Sequence, residues 1–313
     1  MTATRPYRLL REPAAWLYSF WKFSRPHTIV GTSLSAIALY AIALAQADQL
    51  PTLTNLGDLL GAWLACLCGN VYIVGLNQLE DVAIDRVNKP HLPLAAGEFS
   101  QRQGQWLVGL TGAAALLLAA LFGGWLLLTV GLSLAIGTAY SQPPIRLKRF
   151  PFWAALCIFA VRGAIVNLGL FLHFSQQLGV SASLPPVIWA LALFILVFSV
   201  AIAIFKDIPD LEGDRRYNIT TFTVLLGKPA IFNLTRVILS LCYGGAIAAG
   251  ALGLPGVQPL VFIGLHAMLI AVFWGRSLGV DLGNKGAIAQ FYQFIWKLFF
   301  LEYLLFPIAC WLA

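Results

Sequence analysis

The stretch Pro186-Val-Ile-Trp-Ala-Leu-Ala-Leu-Phe-Ile-Leu-Val-Phe-Ser-Val-Ala-Ile-Ala-Ile-Phe205 holds twenty residues without a charge, and it runs straight into Lys206-Asp207-Ile-Pro-Asp210-Leu-Glu-Gly-Asp214-Arg215. Twenty apolar residues in helical conformation cover the roughly 30 Å of a bilayer's hydrocarbon core. The acidic string that follows is therefore read as the mouth of a membrane span. Eight further runs of similar character occur, near 25–46, 58–79, 105–122, 124–141, 152–173, 230–250, 257–275 and 290–312. The chain is 59% hydrophobic and only 11% charged over 313 residues, against roughly 25% charged residues in soluble domains. An all-α polytopic membrane protein with nine transmembrane helices is expected. No linker or low-complexity stretch divides it, so residues 1–313 are read as one domain.

The formal charge of +7 raises nucleic acid as a partner, and the distribution of the cations argues against it. Arg5, Arg8, Arg11, Lys22 and Arg25 precede or open the first span; Arg86, Lys89 and Arg102 follow the second; Arg146, Lys148 and Arg149 follow the fourth. Lys206, Arg215, Arg216 and Lys228 follow the sixth, and Arg276 and Lys285 the eighth, whereas segments 47–57, 174–185 and 251–256 carry no Lys or Arg. Positive charge on alternate connections sets membrane topology. It places the N-terminus and a polar cap of loops on the cytoplasmic or stromal side and the C-terminus opposite, with the lipid bilayer as the partner. Residues 1–24 mix Trp16, Tyr18, Phe20 and Trp21 with basic residues and read as an interfacial amphipathic lead-in. They lack the features of a secretory signal. The five cysteines lie in apolar spans, where Cys serves as a small hydrophobe.

Seven of the thirteen acidic residues fall in two short windows. Asn77-Gln-Leu-Glu-Asp81-Val-Ala-Ile-Asp85-Arg86 ends span two, and Lys206 to Arg215 ends span six; both contain Asp-x-x-x-Asp-Arg. Four spans separate them, so both open on the same face, and the halves look like a parallel repeat. Spacing of four residues lines up Asn77, Asp81 and Asp85 on one helical face, and Lys206, Asp210 and Asp214 on another, with Asp207 beside Asp210. Two carboxylate stripes repel unless cations lie between them. Mg²⁺ is the expected cation, because it prefers oxygen ligands shared between a few carboxylates and a substrate's phosphates. Arg146, Lys148 and Lys206 are the expected direct donors to a diphosphate. Arg162 stands about ten residues into span five, where an unpaired charge costs at least ~2.5 kcal/mol; a diphosphate or an Asp is expected to neutralise it. Pro209 withholds a backbone donor and is read as loosening the end of span six.

At these motifs the chain resembles the UbiA superfamily of intramembrane prenyltransferases, which carry Asn-x-x-x-Asp-x-x-x-Asp, a second Asp-rich motif and nine transmembrane helices. The resemblance implies that Asn77, Asp81, Asp85, Asp207, Asp210 and Asp214 hold a prenyl diphosphate through Mg²⁺. Many relatives place an acid directly after the motif Asn; here Gln78 follows and the acid is Glu80, off the stripe. Phe23-Ser-Arg-Pro-His-Thr28, the longer string Gly75 to Pro90, Phe205 to Arg215 and Phe291 to Tyr303 are similar to the branch that joins phytyl diphosphate to homogentisate in tocopherol synthesis. That branch implies an allylic cation alkylating the aromatic ring, with loss of the acceptor's carboxyl as CO₂. Arg25 and His27, at the mouth of span one, are assigned to the acceptor. Relatives using chlorophyllide, 4-hydroxybenzoate, geranylgeranyl or solanesyl diphosphate stay open, as does a cation transporter, which also places acids between helices. No transit peptide is evident, which suits a cyanobacterial thylakoid or plasma membrane protein, or a mature plastid one.

Overall fold

The computed structural model describes residues 6–181, 183–209, 211 and 221–313. Among these residues there are helices and turns and no strand. A short helix α1 (Pro13–Phe23) leads into α2 (Pro26–Gln46), α3 (Leu53–Glu80), α4 (Val82–Asn88), α5 (Pro93–Ala96), α6 (Gln101–Phe122) and α7 (Gly124–Ser141). Helix α8 (Pro151–Phe159) passes through a π-helical turn, Ala160–Ile165, into α9 (Val166–Gln177). There follow α10 (Pro186–Phe205), α11 (Phe222–Leu226), α12 (Lys228–Ala251), α13 (Pro259–Leu278) and α14 (Lys285–Trp311).

Nine helices among the described residues are long and apolar enough to cross a membrane, matching the count expected from hydropathy. Three begin four or five residues earlier than expected, the second at Leu53, the third at Gln101 and the ninth, capped by Asn284, at Lys285. The reason is capping. Thr52 and Asn55 form a capping box at the start of α3, and Ser100 and Gln103 form another at the start of α6. Each box satisfies orphan N–H groups with polar side chains, so these first turns are helical yet polar and drop out of an apolar window.

The chain divides into two compact units, Met1–Ile37 with Pro51–Cys157, and Ala38–Leu50 with Ile158–Ala313. Of the three boundaries, Ile37/Ala38 and Cys157/Ile158 fall within continuous helices and Leu50/Pro51 in a loop. The first unit carries the first acidic motif and the second carries Lys206 and Asp207.

In the first unit α3 packs along α6 through small residues, as membrane helices lacking a hydrophobic driving force commonly do. A Cβ on Gly112 of α6 would stand 2.6 Å from the ring of Tyr72, and one on Gly75 of α3 would stand 2.6 Å from the ring of Phe23. Phe23 is fully buried in a cluster with Val71, Leu76, Leu94, Phe99 and Val108. Helix α1 is thereby clamped onto α3, while Leu17, Tyr18 and Trp21 stay exposed on its other side. Lys22 also ion-pairs with Glu98, which accepts a further bond from Ser19 Oγ at 2.6 Å. An exposed aromatic face beside a buried one suits a helix lying in the membrane interface.

In the second unit the core is aromatic. Phe194, Phe198, Phe262, Phe299 and Phe306 are all buried, with ring centroids 5.1 Å apart for Phe262 and Phe306 and 5.6 Å apart for Phe198 and Phe299. Phe205, the last residue of α10, is buried and stacks on Tyr292 at 5.8 Å. That stack fixes the end of the span from which the second acidic motif begins.

Candidate active site

The site grows from the end of α3. Asp81 leaves the helix with φ −112 and ψ 13, yet the i→i−4 ladder continues across it, Asp81 N–H donating to Asn77 O at 3.1 Å and Asp85 N–H to Asp81 O at 2.7 Å. Asn77, Asp81 and Asp85 therefore keep helical spacing across the junction with α4. Asn77 Nδ2 donates to Asp81 Oδ2 at 3.3 Å, joining the first two along the stripe.

Asp81 is held by two cations. Arg146 donates to Oδ1 at 3.0 Å and Lys148 to Oδ2 at 2.7 Å. Both come from the loop after α7, where Arg146 takes a left-handed conformation (φ 42) before a 3₁₀ turn at Leu147–Arg149. A non-glycine residue in that region is strained, and strain of this kind gathers at functional sites. The third cation, Arg25, also has a positive φ, 52, and its guanidinium reaches Asn77 Oδ1 at 3.5 Å.

Two polar side chains of α3 hold the corner that carries Arg25. Asn70 Nδ2 donates to Thr28 Oγ1 at 3.0 Å and Ser24 O at 3.3 Å. Gln78, 1% exposed, donates to Phe23 O at 2.7 Å. This is why position 78 suits an amide: its side chain is occupied by backbone and turned away from the carboxylates. Neither Asn70 nor Gln78 was singled out as a positioning residue from the sequence. Their signal was there, as amides inside an otherwise apolar span.

Asp85 is buried, and its Oδ2 has no partner among the described residues. Burial pushes its carboxyl above the ordinary carboxylate range; Lys89 and Arg25 pull the other way, Asp81 adds to the rise, and Lys148 opposes it. Around Asp81 stand three cations, Arg25, Arg146 and Lys148, and Lys89 adds a fourth beside Asp85. The balance favours a further anion, and the orphaned oxygen of Asp85 favours a hard cation.

The UbiA prenyltransferase family model matches residues 15–298. The chain belongs to the UbiA prenyltransferase family. It is 57% identical to homogentisate phytyltransferase of Synechocystis sp. over 302 residues, covering 95% of this chain and 97% of that one. With chloroplastic homogentisate phytyltransferase 1 of Arabidopsis thaliana it shares 42% identity over 296 residues, 93% of this chain and 75% of that one. A UbiA homologue from Archaeoglobus fulgidus, solved bound to GPP and Mg²⁺, superposes with a TM-score of 0.61 at 18% identity, covering 94% of this chain and all of that one. That last likeness is one of fold.

Not every residue assigned from the sequence sits in the Asp81 cluster of this UbiA protein. Asn77, Asp81, Asp85, Arg146 and Lys148 do, and Arg25, assigned to the acceptor, proves to be their neighbour. His27 is exposed on the first turn of α2. Lys206 lies 3.8 Å from Asp207, with its side chain 55% exposed. Asp210 and Asp214 lie outside the described residues, as does Glu212. Among the described residues no three His, Cys, Asp or Glu side chains converge as a metal site. The donors present do suit Mg²⁺: they are oxygens, and one of them is buried without a partner.

Arg162 lies apart from these residues, in the second unit. Among the described residues it pairs with no carboxylate; its guanidinium lies against aromatic rings of α14, 5.2 Å from the centroid of Trp296 and 5.6 Å from that of Phe299. His173 and His266 are buried within their helices. His266 faces Glu302, with Nε2 to Oε2 at 3.2 Å, and its Nδ1–H donates to Phe262 O at 2.7 Å. Glu302, an acid inside the ninth span, was not singled out from the sequence.

Proposed function

We propose that this protein transfers the phytyl group of phytyl diphosphate to homogentisate, with decarboxylation, giving 2-methyl-6-phytyl-1,4-benzoquinol in a Mg²⁺-dependent reaction of tocopherol synthesis. The observation that carries the reading is the three-cation, two-carboxylate cluster around Asp81, in a chain 57% identical over nearly its whole length to a homogentisate phytyltransferase.

The roles follow from charge. Arg25, Arg146 and Lys148 receive the diphosphate, and Asn77 orients Asp81. Asp81 and Asp85 hold Mg²⁺, and Asp207, Asp210 and Asp214 of the repeated motif supply the remaining carboxylates, with Lys206 as their cation. Bound Mg²⁺ supplies Lewis-acid neutralisation of a leaving diphosphate. Preorganised donors stabilise the negative charge that develops as the allylic C–O bond breaks and the electron pair leaves with the diphosphate. The allylic carbon then bonds to an aromatic carbon of homogentisate, which gives up its ring proton. The side-chain carbon that loses CO₂ takes up a proton, so the atoms balance. Apolar helices provide a groove that keeps water from the cation. The basic loops support a cytoplasmic or stromal side for this chemistry, in a thylakoid, plasma or plastid membrane.

The test is a panel. Membranes containing the full chain are given homogentisate, 4-hydroxybenzoate or chlorophyllide with phytyl, geranylgeranyl or solanesyl diphosphate, with Mg²⁺ or with EDTA. Homogentisate and phytyl diphosphate should give the fastest turnover, stopped by EDTA and restored by Mg²⁺. Preference for another acceptor, or turnover indifferent to EDTA, overturns the corresponding part.

A further inference from the structure

Arg162 sits ten residues beyond Phe152, the first residue of the fifth span, or about 15 Å of helical rise. A guanidinium at that depth is costly and is functional by default. It is half-buried. Three features fix its direction. The backbone around it is a π-helical turn, Ala160–Ile165, a local widening common at functional sites. The carbonyls displaced by that turn are caught by Asn167, whose Nδ2 donates to Arg162 O at 3.0 Å and Gly163 O at 2.9 Å; Tyr303 hydroxyl donates to Asn167 Oδ1 at 3.1 Å. Beyond the backbone, the guanidinium lies against Trp296 and Phe299. An Arg packed against aromatic faces is held by cation–π attraction, while its fork of N–H donors can still meet a planar carboxylate with two parallel bonds.

The proposed acceptor is an aromatic ring bearing a carboxylate, and a carboxylate entering an apolar span needs a cation to replace its lost water. We infer that Arg162, braced by Trp296 and Phe299, is the residue that binds the carboxylate of the aromatic acceptor. It is a specificity residue distinct from the Arg25, Arg146 and Lys148 set given to the diphosphate. The inference rests on the proposed function for its acceptor class, and the geometry around Arg162 supplies the rest. A diphosphate held at the same guanidinium is the competing occupant. Two rings packed edge to face, 5.7 Å apart, along one side of a planar cation suit a flat arene acid better than a polyanion, which collects several cations and a metal.

The test uses the purified full chain in nanodiscs, with Arg162→Gln and Arg162→Lys. In steady state Arg162→Gln should raise the KM for homogentisate about tenfold or more, the loss expected for a charge-assisted hydrogen bond, and leave the KM for phytyl diphosphate within about twofold. Arg162→Lys keeps the charge without the fork and should fall between. Calorimetric titration without the donor should show homogentisate binding weakened in Arg162→Gln. Methylhydroquinone, which lacks the carboxylate, should bind wild type and variant alike. If Arg162→Gln does not fold, Arg162→Lys and Trp296→Leu carry the same comparison. A rise in the diphosphate KM with homogentisate unaffected overturns the inference, as does equal loss of homogentisate and methylhydroquinone binding. Wild-type protein inert toward homogentisate would defeat the proposed function itself, whereas an active wild type with an unchanged homogentisate KM in Arg162→Gln defeats this assignment alone.

Discussion

Asp81 and Glu302 are both acids facing basic side chains, yet they are built for opposite purposes. Asp81 sits where a span ends, its side chain 14% exposed, with two cations on it and Arg25 close by. Glu302 is 0% exposed in the second unit and faces His266, itself 0% exposed, with Phe194, Phe262 and Phe306 around the imidazole. There one acid meets one base, 3.2 Å apart. The Asp81 cluster instead keeps surplus positive charge and a route to it. A sealed, balanced pair holds helices together. An accessible, unbalanced one awaits a ligand. Removing each acid should therefore damage different properties.

Asp81→Ala should give the largest effect on turnover, a fall on the order of 10²–10³-fold, as for loss of one preorganised electrostatic group. Its melting temperature in detergent should stay close to wild type. Glu302→Ala should reverse that pattern. Removing one member of a buried pair costs about 3–5 kcal/mol, so the variant should melt well below wild type while the folded fraction keeps its turnover. A double variant, Glu302→Leu with His266→Phe, should recover much of the lost stability, because an apolar pair of similar volume avoids the desolvation of two polar groups. If Glu302→Ala melts normally but is inactive, the two regions are not distinct in the way their burial implies.

The cations of the Asp81 cluster should grade by geometry. Lys148 is nearer and less exposed, 2.7 Å from Asp81 with its side chain 12% exposed, than Arg146 at 3.0 Å and 26%. Lys148→Ala should raise the KM for phytyl diphosphate about tenfold, the scale of one charge-assisted hydrogen bond, and Arg146→Ala should raise it less. The reverse order would mean that the planar fork of Arg146 matters more than proximity.

The two regions also differ in how much of them could be read before folding. The span count and the stripe of Asn77, Asp81 and Asp85 follow from local rules, hydropathy and helical spacing, and both hold in the structure. Arg146 and Lys148 were legible as cations on the correct loop, because topology places a loop on one face even when its partners are unknown. The Glu302–His266 pair was not legible: His266 and Glu302 lie 36 positions apart, on different spans, and no local pattern links them. The protein contacts of Arg25 and Arg162 were hidden in a related way. Arg162 was marked as a charge needing a partner and Arg25 as a residue for the acceptor, but contacts with an aromatic face or with Asn77 depend on packing between helices, to which one-dimensional spacing is blind. Gln78 joins them, since its bond to Phe23 O exists only because Gly75 lets α1 approach so closely.

The smallest effect separates function from stability within the Asp81 cluster itself. Asp85 has a buried oxygen without a partner among the described residues, and burial holds its pKa above the ordinary carboxylate value. A carboxyl whose folded-state pKa is raised costs stability once it ionises: the cost is present at neutral pH and disappears as pH falls through the raised pKa. Asp85→Asn removes that charge without changing the shape of the side chain. The metal-free variant should therefore be more stable than metal-free wild type by about 1 kcal/mol, as when a group kept for function is replaced, and it should lose Mg²⁺-dependent turnover. Melting curves of both proteins in EDTA from neutral toward acidic pH provide the check, and the gap should close as pH falls. Added Mg²⁺ should raise the melting temperature of wild type more than that of the variant, since a ligand stabilises only the form that binds it. A gap that widens toward acid pH would mean that ionised Asp85 is already stabilised by Lys89, Arg25 and Lys148, and that its oxygen is not waiting for a metal.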